Sequence, residues 1–287
     1  MFGTSHFFNG VLSRRAPAMN VAVSSQLGGT VLFGAWALLR SDGSPRTEDL
    51  LWAVVSGVGA GIGVAALYEG MRTCRISVVV PVASIVSVAL PFLVSVVALG
   101  ARIDVPLAVA AVLLVPATWL LSKPVSGSRA TTSSASPAVR SSDETSPNNA
   151  IAGAFGVVAG LGYATQLFAL SRISTPDPAI LMLIGQTVSI IPLVVLLYCR
   201  SQRLLPIGGG ASLSKAAIVG GLAALAMVSY LYATREAALA PVMVAIALYP
   251  ALPVVLAVLV LKERLSRPQM GGLGIAAIVL PLINLAG

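Results

Sequence analysis

Nine apolar segments, each long enough to cross a bilayer as an α-helix, follow one another along this chain. A helical crossing takes about 20 apolar residues. Among the 18 basic and 10 acidic side chains, only Glu69 lies inside one of these segments, near its end. Because a charge at the bilayer centre costs about 2.5–3.5 kcal/mol or more, this segregation indicates membrane spans. The predicted spans are 18–39, 50–71, 76–99, 105–122, 150–171, 178–199, 216–234, 238–261 and 269–286.

The composition excludes a water-soluble fold. Charged residues make up 10% of the chain and hydrophobic residues 57%, whereas a soluble domain carries about 25% charged residues. The predicted fold class is therefore all-α, a polytopic transmembrane helical bundle. Cationic loops on the cytoplasmic side explain the net charge of +8. The chain has no basic run interleaved with aromatic residues, so no nucleic-acid partner is predicted.

A Ser/Thr/Pro-rich stretch at 123–149 divides the chain nearly in half, and its composition predicts a flexible linker. The two halves match at a constant offset of 162 residues, and the shared A-L-P and R-x-x-x-P patterns favour a repeat over chance likeness. We therefore expect a first repeat at 1–122 and a second at 150–287. The coinciding pairs are Ala83/Ala245, Ala89/Ala251, Leu90/Leu252, Pro91/Pro253, Leu99/Leu261, Arg102/Arg264 and Pro106/Pro268, with Gln26/Gln186 and Tyr68/Tyr232 at slightly shifted offsets.

The number of spans predicts that the two repeats have opposite orientations in the membrane. The second half holds five spans, and the first holds four spans plus the apolar stretch 1–13, which is too short to cross. We expect this stretch to be a truncated first helix, with an in-frame apolar extension upstream of Met1 in the source gene. Inverted repeats are a recurring transporter design in which the solute site lies near the midplane between the halves.

Three parts of the chain resemble the EamA domain of the drug/metabolite transporter superfamily. Residues 231–280 carry a Tyr-bearing helix, an apolar helix entered through Ala-Pro, a terminal E-R and a Gly-rich last helix. Residues 65–122 look like the same unit with E-R changed to Ala101-Arg102, and residues 2–29 look like the opening helix and hairpin. The resemblance implies a ten-helix bundle of two inverted repeats that moves small metabolites along a gradient.

The distribution of Lys and Arg predicts an orientation. If ten elements cross, 13 of the 18 basic residues lie in loops on one side, which include the linker and the Lys262–Arg264 loop. The positive-inside rule places that side in the cytoplasm and the C-terminus outside, whereas the family resemblance implies cytoplasmic termini. The five basic residues on the other side are Arg40, Arg46, Arg102, Arg172 and Arg235.

We expect a reporter fused after Gly287 to be extracytoplasmic and one inserted near Ser134 to be cytoplasmic. The reason is the excess of basic residues around the linker. Paired alkaline phosphatase and green fluorescent protein fusions at both positions measure the two locations. The opposite pattern of activities would reverse the orientation and support cytoplasmic termini.

The sequence contains no catalytic constellation and no metal-ligating cluster, so we predict no enzyme, no cofactor and no metal site. The residues Gly57, Gly59, Gly61 and Gly63 form two overlapping G-x-x-x-G pairs inside an apolar helix, which favour close helix packing over nucleotide binding. Glu69 is predicted to pair with Arg72 at the interface. The leading hypothesis is a secondary transporter (permease or exporter) of a metabolite or drug-like solute in the cell membrane, and the alternatives are a non-transporting scaffold and a membrane-embedded enzyme.

Polar side chains inside the spans are the candidates for solute binding, because each needs a partner where water is scarce. Taken singly, each is more often a helix–helix hydrogen bond or an interfacial tyrosine. Pro91 and Pro253 are predicted to kink their helices. The expected partners are a small-molecule solute and the lipid bilayer, and a homodimer is left open. The candidates are His6, Asn9, Gln26, Tyr68, Ser84, Ser87, Tyr163, Gln166, Gln186, Tyr230, Tyr232 and Tyr249.

Overall fold

A computed structural model describes residues 4–5, 8, 12, 18–40, 45–74, 76–121, 147–199, 210–249, 251–261 and 265–285. These residues form helices and connecting turns, with no strand among them, which confirms the predicted all-α class. The helices are α1 (Ala18–Arg40), α2 (Thr47–Thr73), α3 (Ile76–Val97), α4 (Val105–Leu121), α5 (Pro147–Ser171), α6 (Ala179–Cys199), α7 (Gly210–Glu236), α8 (Leu239–Ala247), α9 (Ala251–Leu261) and α10 (Arg267–Leu285).

The helices have the length and the surface of membrane spans. Six of the described helices, α1, α2, α3, α5, α6 and α7, are long and apolar enough to cross a bilayer, and α4 and α10 are shorter apolar helices. The outer surface exposes large apolar side chains, among them Leu38 (88%), Val97 (82%) and Tyr198 (86%). Lipid tails solvate such a surface, so the chain is an integral membrane protein.

The predicted linker lies mostly outside the described residues. Helix α4 ends at Leu121, and α5 begins at Pro147, three residues inside the stretch assigned to the linker. The boundaries of the two repeats, 1–122 and 150–287, therefore stay a prediction.

Helices α1 and α6 occupy equivalent positions in the two repeats, and they run antiparallel. Gln26 lies beside Gln186 and Ser189, whereas Gly34, further along α1, faces Leu183, which is earlier on α6. Two equivalent helices that run in opposite directions require repeats of opposite orientation. This contact pattern agrees with the inversion predicted from the number of spans.

The remaining contacts follow the same two-fold pattern. Gly57 of α2 packs on Gly185 of α6, and Gly220 of α7 packs on Ser25 of α1. Shifted by the repeat offset of 162, the contact of Gly57 with Gly185 becomes 219 with 23, which is within two residues of the contact between Gly220 and Ser25. Helix α3 likewise packs on α8, and α4 packs on α10.

The four glycines of α2 face two different helices, which confirms their predicted packing role. Gly57 and Gly61 lie against α6, and Gly59 and Gly63 lie against α5. A Cβ atom at any of the four would crowd the neighbouring helix. The alternating glycines therefore let α2 lie between α5 and α6 at close range.

The span predicted as continuous from 238 to 261 is broken, and this corrects the sequence prediction. Between α8 and α9, Leu248 N donates to Ala245 O (3.3 Å) and Tyr249 N donates to Ile246 O (2.8 Å), which is the tighter i→i+3 pattern. Pro253 follows the break. A proline offers no amide donor to the carbonyl four residues earlier, so it favours an interrupted helix here. Its repeat equivalent Pro91, by contrast, lies inside the unbroken helix α3.

Candidate functional site

A hydrogen-bonded pair of glutamines joins the two repeats at the centre of the bundle. Gln186 Nε2 donates to Gln26 Oε1 (2.9 Å) and to the Gln26 carbonyl oxygen (3.2 Å). Gln26 Nε2 donates to Ser189 Oγ (2.8 Å), and Ser189 Oγ donates to the Gln186 carbonyl oxygen (2.7 Å). The amide orientations follow from this network, because the atom of Gln186 beside a carbonyl oxygen must be its donor nitrogen.

The glutamine pair marks the symmetry axis of the repeats. Gln26 and Gln186 were matched as repeat equivalents from the sequence. A residue that bonds to its own equivalent lies on or beside the two-fold axis that relates the repeats. The axis therefore passes between α1 and α6, where an inverted-repeat transporter has its solute site.

A small cavity lies beside the glutamine pair. Its volume is about 20 Å³, enough for about one water molecule and far below the roughly 300–1,000 Å³ of a drug-sized site. This cavity is therefore too small to hold a drug-sized solute. Polar lining comes from Ser56, Gln166, Gln186 and Ser189, and apolar lining includes Phe33, Ile173, Leu181 and Met227.

Four predicted site residues from different elements converge into a second polar cluster, here called the tyrosine group: Tyr68, Tyr163, Tyr249 and Ser84. The hydroxyl groups of Ser84 and Tyr249 are 2.6 Å apart. Tyr68 and Tyr249 lie close enough to Tyr163 to interact with it electrostatically. All three tyrosine side chains are partly buried.

The break between α8 and α9 positions one member of the tyrosine group. Tyr249 sits in the break, where the chain leaves the regular helix. Discontinuous membrane helices recur at transporter sites, because an interrupted backbone frees polar groups where they line a cavity. Tyr249 thus lies beside Ser84 of α3 and Tyr163 of α5.

Gln166, which lines the cavity, connects α5 to two neighbouring helices. Its side-chain amide donates to Met227 Sδ (3.7 Å), and its carbonyl oxygen accepts a bond from Ser56 Oγ (3.2 Å). Ser87 is buried and donates to the carbonyl oxygen of Ser84 (2.9 Å), which supports α3 locally.

The other predicted site residues lie elsewhere. Tyr230 is buried and donates to the Leu167 carbonyl oxygen (2.7 Å), an arrangement that packs α7 on α5. Tyr232 is partly exposed under the guanidinium of Arg235, 5.2 Å from its ring centre. His6 and Asn9 lie outside the described residues. Solute contact at all of these positions stays a prediction.

A buried carboxylate that was absent from the sequence candidates ties together one end of the bundle. Asp49, 2% exposed, accepts bonds from the backbone amides of Ser174 (3.1 Å) and Thr175 (2.8 Å) and from both hydroxyls. Arg46 donates to Ser174 Oγ (3.5 Å), and Arg235 donates to the Thr175 carbonyl oxygen. We call these five residues the Asp49 latch. It places Arg46, Arg235 and the loop that contains Arg172 at one end of the bundle. We call this end the five-arginine face, because the sequence assigns Arg40 and Arg102 to the same side.

Comparison with known proteins decides the family. The model of the EamA-like transporter family matches residues 145–285, which contain α5 to α10. The chain belongs to the EamA-like transporter family. No curated protein matches it. One solved structure, described only as the crystal structure of a protein, is similar in fold with a TM-score of 0.68 at 15% identity, and the match covers 99% of this chain and 94% of that one.

In this EamA protein the only acidic side chain predicted inside a span is committed to an ion pair. Glu69 Oε1 and Oε2 accept bonds from Arg72 at 2.7 and 3.2 Å. The pair confirms the prediction for these two residues. Arg72 is half exposed at the helix end, so the pair lies at the edge of the bundle and not at its centre.

Proposed function

We propose that this EamA-family protein is a secondary transporter of the cell membrane that moves a small solute by alternating access between its two repeats. The observation that carries the proposal is the hydrogen bond between Gln26 and its repeat equivalent Gln186, which puts the axis of the repeats through a polar centre. The cavity beside the pair is too small for a solute, so binding requires that the repeats move apart on one side.

Exchange of the two repeat conformations would produce the opposite-facing state. In that state Gln26 takes the role of Gln186, and its side-chain amide donates to the side-chain oxygen and to the backbone carbonyl oxygen of Gln186. Gln186 then turns its own amide nitrogen toward Gly29, the position equivalent to Ser189, which offers no hydroxyl. The state seen here therefore has one hydrogen bond that the exchanged state lacks.

The Asp49 latch is also asymmetric between the two repeats. The positions equivalent to Asp49 in the second repeat lie at 211–215, where the sequence reads ASLSK and contains no acid. The latch would hold the five-arginine face closed, and the equivalent positions of the second repeat offer no carboxylate for a matching latch. Both asymmetries favour a resting state that is closed on the five-arginine face.

Cross-linking the five-arginine face tests alternating access. In a variant with Cys74→Ser and Cys199→Ser, the latch pair is replaced by Asp49→Cys and Thr175→Cys and joined by a short bis-methanethiosulfonate reagent. Efflux of a loaded panel of small metabolites from proteoliposomes is followed by mass spectrometry. We expect cross-linking to abolish flux, because the solute can then reach only one side, and reduction to restore it.

The two single-cysteine variants treated with the same reagent are the controls, and they should keep their flux. Undiminished efflux from fully cross-linked protein would overturn alternating access. Flux no greater than from empty liposomes for every solute would support a scaffold instead.

A further inference from the structure

We infer that the tyrosine group binds the solute and that this solute is an uncharged molecule with a planar apolar part and a hydrogen-bond acceptor. The inference rests on the proposed function and names the class of its substrate. It follows from three properties of the group: its walls, its free donors and the absence of a fixed charge among the side chains that form it.

The walls are aromatic and come from elements that move with different repeats. Tyr68 lies on α2, whereas Tyr163 lies on α5 and Tyr249 at the break before α9. Phenol rings present flat apolar faces and one polar end, which suits a solute with a planar apolar part. A site shared by both repeats also changes its shape when the repeats move, as a transport site must.

The free polar groups are hydroxyl donors. Within the part of the chain that the structure describes, the hydroxyl groups of Tyr68 and Tyr163 have no hydrogen-bond partner. A bound solute with an acceptor atom would take a hydrogen bond from each of these hydroxyls in place of water. Ser84 already pairs with Tyr249, so the two unpaired phenols supply the specific contacts.

The charge of the solute is limited by its surroundings. Glu69, the only acidic or basic side chain in a predicted span, is held by Arg72. Asp49 is held by the latch at the five-arginine face. A charged solute in the tyrosine group would lose its hydration without gaining an opposite charge, which disfavours anions most. A cation over the rings is the competing arrangement, but it would leave the hydroxyl donors unused.

Three probes of one shape and different charge test the class: benzamide is neutral, benzamidine is a cation and benzoate is an anion at pH 7. The full chain in detergent is titrated with each probe at millimolar concentration, and its thermal unfolding is followed. We expect benzamide alone to raise the unfolding temperature, because a ligand of the folded state stabilises it. Tyr68→Phe and Tyr163→Phe should each weaken benzamide binding about five- to tenfold while keeping the rings.

Tyr198→Phe is the matched control, because this tyrosine is exposed on the outer surface, and it should bind benzamide as the unmodified chain does. Stabilisation by benzamidine and not benzamide would replace the proposed class by a cation site. Stabilisation by none of the probes, or unchanged binding in both phenylalanine variants, would overturn the inference. The cross-linking experiment is independent of this result, so a wrong solute class leaves alternating access standing.

Discussion

Gly220→Ala is expected to destabilise the folded bundle by about 3 kcal/mol or more, although it adds a single methyl group. At this position a Cβ atom would overlap the backbone of Ser25 on α1, including its carbonyl oxygen. Backbone cannot turn aside as a side chain can, so α1 and α7 must separate along their contact. Overpacking of this kind costs about 1–3 kcal/mol, and more when backbone is displaced. Separation also stretches the hydrogen bond from Ser25 Oγ to the Ala216 carbonyl oxygen (3.2 Å).

The matched control is Gly153→Ala on α5, where a Cβ atom would meet nothing within 4 Å. The same change should there be neutral or slightly stabilising, because alanine favours a helix by up to about 1 kcal/mol over glycine. Thermal and denaturant unfolding of both variants in detergent provide the comparison. Equal stability of Gly220→Ala and the unmodified chain would mean that α1 and α7 do not approach as closely as the structure shows.

The span pattern and the repeats could be predicted from the sequence because the bilayer imposes them residue by residue. A charge inside a span is costly wherever it sits, so the positions of the charges define the segments. The match of Gln26 with Gln186 rested on similarity of the two halves, and the structure brings these two side chains into contact. The packing role of the four glycines of α2 could also be predicted from local sequence, because their spacing alone predicts a face of close helix approach.

The functional centre depended on information that hydropathy does not carry. The segment 238–261 is apolar throughout, so its pattern predicts a span and says nothing of the break before α9. The prolines at 250 and 253 are the only local sign of the break in this segment. The convergence of Tyr68, Tyr163 and Tyr249 depends on how helices rotate about their axes, which the composition of each span leaves open.

The Asp49 latch was missed for a related reason. An acid in the first turn of a helix is common, because it interacts favourably with the helix dipole at an exposed end. Nothing in the local sequence distinguishes Asp49 from its neighbour Glu48, which is exposed. Only the arrival of Ser174 and Thr175 from more than 100 residues away buries one carboxylate and leaves the other in solvent.

Asp49→Asn is expected to open the five-arginine face. The substitution keeps the size of the side chain but removes its charge and turns one acceptor oxygen into a donor, which then faces the amide and hydroxyl donors of Ser174 and Thr175. Hydrogen bonds to a charged group contribute about 1.5–3 kcal/mol each. Loss of about 2 kcal/mol of bias toward the closed state raises the open population roughly thirtyfold.

The reporter for this opening is Ile173→Cys in the variant without Cys74 and Cys199. Ile173 is 2% exposed and lines the central cavity beside the latch, so its thiol should react slowly with a polar maleimide. With Asp49→Asn we expect the labelling rate to rise at least about tenfold. The control is Asp177→Asn in the same loop, whose carboxylate accepts the Ala179 amide outside the latch (3.1 Å) and should leave the rate unchanged. Equal rates in the two variants would show that Asp49 stabilises the fold without holding the face closed.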